Sequence, residues 1–579
     1  MISTEYLYNY FIKKGTALWL LLPLFALVSP RLAPAQSLQI GSIQDEQIMI
    51  QSLLSDSLHI PTIQRPFLYD HYLEIMSDTT ISSKSGWWNR PQRYTTYSMN
   101  GIIGETEIGL LPITLQNTMN SRFPMGENNE AAWYGRGMNS EISGGFFLKS
   151  DFFTITFQPH FIYQENLDFL TPRFVLNEPE NGIIGTESFT YQIDYPFRFG
   201  AEPFSTFDLG YSSIRLHASY FEIGLASEPQ WWGSAIRYPL MMSNNAPGFN
   251  HLFLGTREPV QIPKIGKVHI KWIMGYANES GYFNGVGQGE RRFLNGVNIS
   301  FNPNLLSNLT FGLNRMYHIF DTDGFRFQNV ITLFDPFQRV SLVARQGADD
   351  VRQARNQIAS VYFQLKLPAA NGEIYGEFFR EDHSYDLRDL FVQPNHNSAY
   401  SFGFRKLSYL PRFDFVIANL EFTNLTISQL QQVRPQGNFY THTPIGQGHT
   451  NRGQLLGAAI GPGSNSQFFS LDFYKKNLTV GLFAQRHVIN DSFHFRISSF
   501  TQSPFSNVGD FINHRINLNS GFHTTYSRGN LTLFSKFTWT KAFNYGRFNT
   551  ARYITPDVFD QEHFDRTNVQ FQIGFTFTP

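Results

Sequence analysis

From about residue 104 to its end, the chain is written in short runs in which every second residue is apolar, a period of two that persists for about 470 residues with no helical domain intervening. Ile214, Leu216, Ala218 and Tyr220 alternate with Arg215, His217 and Ser219, and Leu309, Phe311 and Leu313 alternate with Thr310, Gly312 and Asn314. Val361, Phe363 and Leu365 alternate with Tyr362, Gln364 and Lys366, and Phe469, Leu471 and Phe473 with Ser470, Asp472 and Tyr474. Successive side chains of a strand point to opposite faces, so each run predicts a strand with one apolar face and one that wants water. Clusters of Gly, Asn, Asp and Pro between the runs predict turns.

A soluble sandwich shows the same alternation. Two features point instead to a cylinder closed within a bilayer. The chain ends in a strand whose Val569, Phe571, Ile573, Phe575 and Phe577 face one way and whose Gln570, Gln572, Gly574 and Thr576 face the other. A barrel needs such a last strand to close on its first; most bacterial barrels stop on the aromatic residue, whereas here Thr578 and Pro579 follow. The second feature is the persistence of the pattern: at one strand per roughly 25 residues it yields about 16 to 20 strands, and bacterial barrels take even numbers. The 58 Phe, 27 Tyr and 8 Trp, set against only 16% charged residues, suit rings that face lipid and gather in two interfacial girdles. The expected fold class is all-β, a transmembrane antiparallel β-barrel over 101–579.

Near the N-terminus, Lys13 and Lys14 form a basic flank, 16–28 supply a short apolar core broken by Pro23, and Ala33-Pro34-Ala35 is a small-x-small cleavage site. Residues 1–35 therefore read as an export signal, cleaved to leave Gln36 first, since the apolar stretch falls short of the roughly 20 residues an anchor helix needs. Cleavage removes Lys13, Lys14, Arg31 and Glu5 from 45 basic and 46 acidic side chains, leaving a net charge of −3. That balance argues against a nucleic-acid partner, whose phosphates call for a basic surplus. The chain has no cysteine, so it offers no disulfide, thiol nucleophile or Cys-ligated metal site. Residues 36–100 read as a short, partly helical segment, periplasmic or lumen-facing. Ile43, Ile48, Ile50, Leu53 and Leu54 recur at helical spacing, and 69–76 predicts a second short helix before a Gly/Trp-rich stretch over 85–93.

The candidate chemistry lies in the connections. Pro, Gly and Asn density over 229–259 predicts a long loop, extracellular or folded into the lumen. Its Trp231 and Trp232, next to Asn244, Asn245 and Arg257, suit a carbohydrate: aromatic faces stack on the C–H face of a sugar ring, while amides and a guanidinium satisfy hydroxyls or a carboxylate. The plainer alternative is a Trp pair in an interfacial girdle and an Asn pair capping a turn. Trp133, Tyr134 and Arg136 offer the same mixture with the same alternative, rim packing. In the Gly-rich loop over 440–467, His442 and His449 lack a third ligand at useful spacing, and no metal is expected. Asp321-Thr322-Asp323-Gly324 lacks the distal Glu of a calcium loop and reads as a turn. GVGQG at 285–289 does not lie between a strand and a helix, which sets aside a nucleotide reading. Neither G-x-S-x-G, H-E-x-x-H nor a P-loop occurs, though Glu381, Asp382 and His383 form a polar cluster.

Five strings, FPMGENNEAAWYGRGMNSEISGG (123–145), WWGSAIRYPLMMSNNAPGFNHLFLGTREP (231–259), GEIYGEFFRED (372–382), HNSAYSFGFRKL (396–407) and YTHTPIGQGHTNRGQLLGAAIGPGSNSQ (440–467), resemble the capsule assembly proteins of the Wzi type in order and spacing. The resemblance is closest to the Bacteroidetes-like branch and runs from about Ile108 to the C-terminus. It implies an outer-membrane barrel of about 18 strands with a small helical element on its periplasmic side. It also implies a non-catalytic, lectin-like role, anchoring capsular or exported polysaccharide at the cell surface with no cofactor. Outer-membrane lipid and the barrel-insertion machinery are the other expected partners. Two departures touch loop geometry and sugar preference: Asn128-Asn129-Glu130 stands where the family pattern has Asn-Asp-Gly, and Trp232-Gly233-Ser234-Ala235 where it has Trp-Gly-Pro-Gly. A passive channel for small solutes is the alternative function, and an outer-membrane hydrolase a third.

Overall fold

The computed structural model describes residues 36–54, 62–77, 86–101, 104–171, 193–285, 287–320, 326–335, 355–381, 387–428, 437–442, 444–490, 515–545 and 565–579. The expected leader at 1–35, the turn at 321–324, and Asp382 and His383 lie outside them. Eighteen antiparallel strands close into one barrel. In chain order they begin with β1 (Gly104–Asn120), β2 (Gly137–Lys149), β3 (Phe153–Phe157 with His160–Gln164), β4 (Phe204–Asp208 with Ser213–Ala218), β5 (Phe221–Ala226) and β6 (His251–Thr256 with Val260–Ile262). There follow β7 (Gly266–Ala277), β8 (Arg292–Pro303), β9 (Leu309–Phe320), β10 (Arg355–Leu367), β11 (Gly372–Glu381) and β12 (Ser398–Ser408). The last six are β13 (Phe415–Asn424), β14 (Asn465–Lys475), β15 (Leu478–Ile489), β16 (Arg515–Arg528), β17 (Leu531–Phe543) and β18 (Arg566–Phe577). Pro159 and Pro259 stand in the breaks of β3 and β6, where a residue without an N–H cannot serve the ladder. As expected, the last strand closes on the first, with Phe577 opposite Ile113 and Gln570 opposite Asn120.

The alternation separates solvents in the inverse sense to a soluble protein. On β4, Ile214 and Leu216 are half exposed on the outer face, while Arg215 and His217 are buried facing inward. The same holds on β10, where Val361 is exposed and Ser360 and Gln364 are buried, and on β18, where Phe571 and Ile573 are exposed and Gln570 is buried. Apolar side chains turned outward around a closed sheet are what hydrocarbon demands, and polar side chains turned inward are what it excludes. The chain is thus an outer-membrane barrel. No helix among the described residues is long and apolar enough to cross a membrane. Eight turns of two to six residues lie at the end that holds the chain's C-terminus, and nine connections of 14 to 40 residues lie at the other. Short turns mark the periplasmic end and long loops the extracellular one.

The N-terminal segment sits in the lumen at the short-turn end. Helix α1 (Ile43–Leu54) starts on Ser42, whose hydroxyl accepts the N–H of Asp45, while the Asp45 carboxylate accepts the N–H of Gly41 and sits at the positive end of the helix dipole. Its Ile50 and Leu53 pack with Trp87 and Trp88 against Leu407, Phe415 and Tyr474 of the wall. Lys366 reaches from β10 to the Ser52 carbonyl, and the Trp87 indole donates to Thr479. Helix α2 (Tyr69–Ser77) buries Tyr69, Tyr72, Ile75 and Met76 against α1. Both helices begin where helical spacing predicts.

Candidate functional site

The lumen is crossed from both ends by chain that the wall grips through carboxylates. Residues 227–250 descend from the long-loop end, and Trp231–Trp232 pairs antiparallel with Gln64–Arg65 of the N-terminal segment. Glu421 on β13 accepts the backbone N–H groups of Ile236, Arg237 and Tyr238 at 2.8, 3.1 and 2.8 Å, together with the Tyr375 hydroxyl at 2.8 Å. Glu377 on β11 accepts the N–H of Leu240 at 2.9 Å and the hydroxyl of Ser360 at 2.7 Å. Gly233 lies against that carboxylate with φ +133°, and a Cβ there would stand 2.7 Å from the Glu377 Oε2. Both the backbone conformation and the space call for glycine. Glu381 accepts the Tyr440 N–H of a second inserted stretch, described over 437–442 and 444–464, which is tied to the first by Ser243 N–H donating to the Leu456 carbonyl at 2.7 Å. A loop buried in this way has to find acceptors for its backbone N–H groups, and the wall supplies them.

His449 of the second loop is wholly buried, with Nδ1 2.9 Å from His318 and Nε2 2.7 Å from the Met241 carbonyl. Burial holds its imidazole neutral, lowering its pKa to about 4 from an ordinary 6.5. A base with a depressed folded pKa costs nothing above the unfolded value and opposes folding below it. The plug should therefore be at full strength above about pH 6.5 and lose on the order of 1–3 kcal/mol between there and pH 4. Hydrogen exchange of residues 444–464 should rise as pH falls to 4.5, after correction for intrinsic rates, and His449→Gln should flatten that dependence.

Two of the cavities among the described residues lie beside the inserted chain. The inner one, about 490 Å3, occupies the short-turn half of the lumen between the N-terminal segment and the wall; Gln39, Glu46, Glu130, Tyr134, Trp231 and Lys536 line it. The outer one, about 170 Å3, opens among the long loops and the upper ends of β15 and β16; Trp133, Phe169, Asn245, His487, Arg515 and Tyr545 line it. In this outer cup the Arg515 guanidinium lies over the Tyr545 ring at 4.2 Å, and Trp133 meets Phe199 edge-on at 5.2 Å. Glu127, also on the rim, is paired with Arg237 at 2.6 Å and accepts the Tyr238 hydroxyl. Burial alone would raise the Glu127 carboxyl, but Arg237 and His487 hold it below the usual carboxylate range. The cup thus combines ring faces, a fixed cation, a carboxylate and amides.

The residues singled out in the sequence do not form one site. Trp133 and Asn245 line the outer cup. Tyr134, Trp231 and Asn244 line the inner cavity, with Trp231 3% exposed beneath the Arg65 guanidinium. Trp232 is 0% exposed in the core of the plug and presents no ring face to a ligand. Arg136 bridges two loop carbonyls, of Ser121 and Asp168. Arg257 lies near the opposite end of the barrel, its N–H donating to Tyr220 in a short turn. The predicted loop over 229–259 ends earlier than expected, because His251–Thr256 and Val260–Ile262 pair as β6 and carry Arg257 away from the rest. Arg515 and Tyr545 come from a strand start and a loop that carry no local motif, and no short pattern marks them.

A family model described as capsule assembly protein Wzi matches residues 116–492, more than half of the chain. Among solved structures, the Escherichia coli outer-membrane protein Wzi, described as involved in group 1 capsule assembly and as a carbohydrate-binding β-barrel, is similar at a TM-score of 0.58 and 12% identity, over 94% of this chain and 100% of that one. OccK2 of Pseudomonas aeruginosa in complex with glucuronate gives a TM-score of 0.38 at 9% identity, over 81% of this chain and 96% of that one. OccD3 of Pseudomonas aeruginosa gives 0.38 at 11% identity, over 87% and 96%. No curated protein sequence matches the chain.

Proposed function

Because this chain belongs to the Wzi family of capsule assembly proteins, we propose that its outer cup binds capsular or exported polysaccharide and holds it at the cell surface without cleaving it. The observation that carries this reading is the cup itself, in which Arg515 lies over Tyr545 in a cavity that also holds Trp133 and Asn245, at the end of the barrel that bears the long loops. Aromatic faces stack on sugar rings, and a guanidinium pairs with the carboxylate of an acidic residue. At about 170 Å3 the cup is smaller than the roughly 300–1,000 Å3 of a pocket that engulfs a free small molecule, which suits one residue of a longer chain. Trp231 and Trp232 are assigned to the plug rather than to the ligand.

The test is binding of purified surface polysaccharide to detergent-solubilised protein. Trp133→Ala combined with Arg515→Gln is expected to weaken binding ten-fold or more while the barrel keeps its heat-modifiable migration. Unchanged affinity in that variant would overturn the assignment of the cup.

A further inference from the structure

The first turn of α2 brings His71 to the lumen wall beside the break in β6. His71 Nδ1 lies 3.7 Å from Glu258 Oε2, too far for a hydrogen bond, and that nitrogen is buried with no hydrogen-bond partner. Glu74 follows His71 at i+3 and so shares its face of the helix. One ligand atom from each of His71, Glu74 and Glu258 lies within 4.8 Å of the other two, and among the described residues no other group of three metal-ligating side chains gathers in this way. Glu258 stands in the two-piece strand's break, between Thr256 and Val260 where the ladder stops and resumes. We propose that His71, Glu74 and Glu258 bind a zinc-type divalent cation that clips the N-terminal segment to the barrel wall at its periplasmic end.

The chemistry fits. A chain without cysteine builds a zinc site from imidazole and carboxylates, and three protein ligands with a water in the fourth place is a common zinc arrangement. Ligand atoms around a tetrahedral zinc stand roughly 3.3 to 3.6 Å apart for bonds of about 2.0 to 2.2 Å, so the His71 to Glu258 separation needs almost no change and Glu74, an exposed side chain, needs only a rotamer adjustment. The two carboxylates supply the charge a divalent ion needs among the cations nearby, Lys267 and Arg257. The ligands come from two elements, so an ion there would couple α2, and with it the whole floor of the lumen, to β6.

The full chain in detergent, stripped with a chelator, would be titrated with zinc chloride and followed by calorimetry and by hydrogen exchange of residues 69–77. The wild type is expected to take up one equivalent and to slow exchange in α2 at least ten-fold on binding. His71→Ala and Glu258→Gln should lose both effects, and Glu74→Gln, at an exposed position that does not threaten folding, should weaken binding ten-fold or more. Zinc uptake that is absent from the wild type, equal in all four proteins, or without effect on exchange in 69–77 would each refute the clip.

Discussion

Replacing Glu377 and Glu421 together by alanine is expected to turn a nearly silent barrel into a conducting one. The two carboxylates accept four backbone N–H groups of the inserted loop, from Ile236, Arg237, Tyr238 and Leu240, and two hydroxyls. A hydrogen bond to a buried carboxyl group contributes about 0.5–3 kcal/mol, and a buried donor left without a partner costs about 1–3 kcal/mol, so the double variant removes several kcal/mol from one short stretch of chain. The loop would still be held by its pairing with Gln64–Arg65 and by the buried side chains of Tyr238, Leu240, Met241 and Met242, but its backbone would be better solvated outside. Single-channel recordings in planar bilayers should show a rare, small conductance for the wild type and a sustained one for the variant. Glu421→Gln, which keeps an acceptor, should stay close to the wild type. If the double alanine variant is as silent as its parent, the carboxylate grip is not what seals the lumen, and a sustained conductance in the wild type would instead revive the passive-channel reading.

The wall was legible in the sequence and the plug was not, for a physical reason. Alternation such as Ile214, Leu216 against Arg215, His217 encodes a strand between hydrocarbon and a polar interior directly, because the side-chain period is two and each face meets one solvent. The helical spacing over 43–54 reads just as directly, and the Ser42 and Asp45 caps accompany it. The stretch around Trp231 and Trp232 has the Trp, Asn and Gly content of a surface loop that grips sugar, and an inserted plug has that content too. What distinguishes them is the set of acceptors, Glu377 and Glu421, which lie well over a hundred residues away and look like ordinary inward-facing strand residues. Arg257 follows the Trp pair within the same Pro- and Gly-rich stretch of sequence, while β6 takes it to the far end of the barrel. The outer cup draws Trp133, Asn245, Arg515 and Tyr545 from four separate segments, so only its Trp133 and Asn245 stood out in the sequence.

The largest stability effect is expected at Arg215. Its guanidinium is 0% exposed and holds Glu222 at 3.0 Å, Glu228 at 2.7 Å and the hydroxyl of Ser37 at 2.7 Å, while Lys271 lies 3.3 Å from Glu222. Two cations and two carboxylates balance, and through Ser37 the cluster fastens the start of the N-terminal segment to the wall. Removing one partner of a buried ion pair costs about 3–5 kcal/mol, because the charge left behind is neither solvated nor compensated. Arg215→Met should therefore release the N-terminal segment to added protease at neutral pH while the outer barrel stays folded. The pH dependence carries a distinctive sign. In the wild type, burial would raise the Glu228 carboxyl, but Arg215 and Lys271 lower it to about 2, so its stabilising contribution is present above about pH 4.5 and is lost only as pH falls toward 2. Without Arg215, burial governs and the carboxyl's pKa moves upward, so the variant should be least stable at high pH and regain protection on acidification. Arg215→Met should accordingly resist protease better at pH 5.5 than at pH 7.5, and adding Glu228→Gln should restore much of the protection at pH 7.5. Native-like resistance of the single variant at pH 7.5 would mean that the cluster does not anchor the segment.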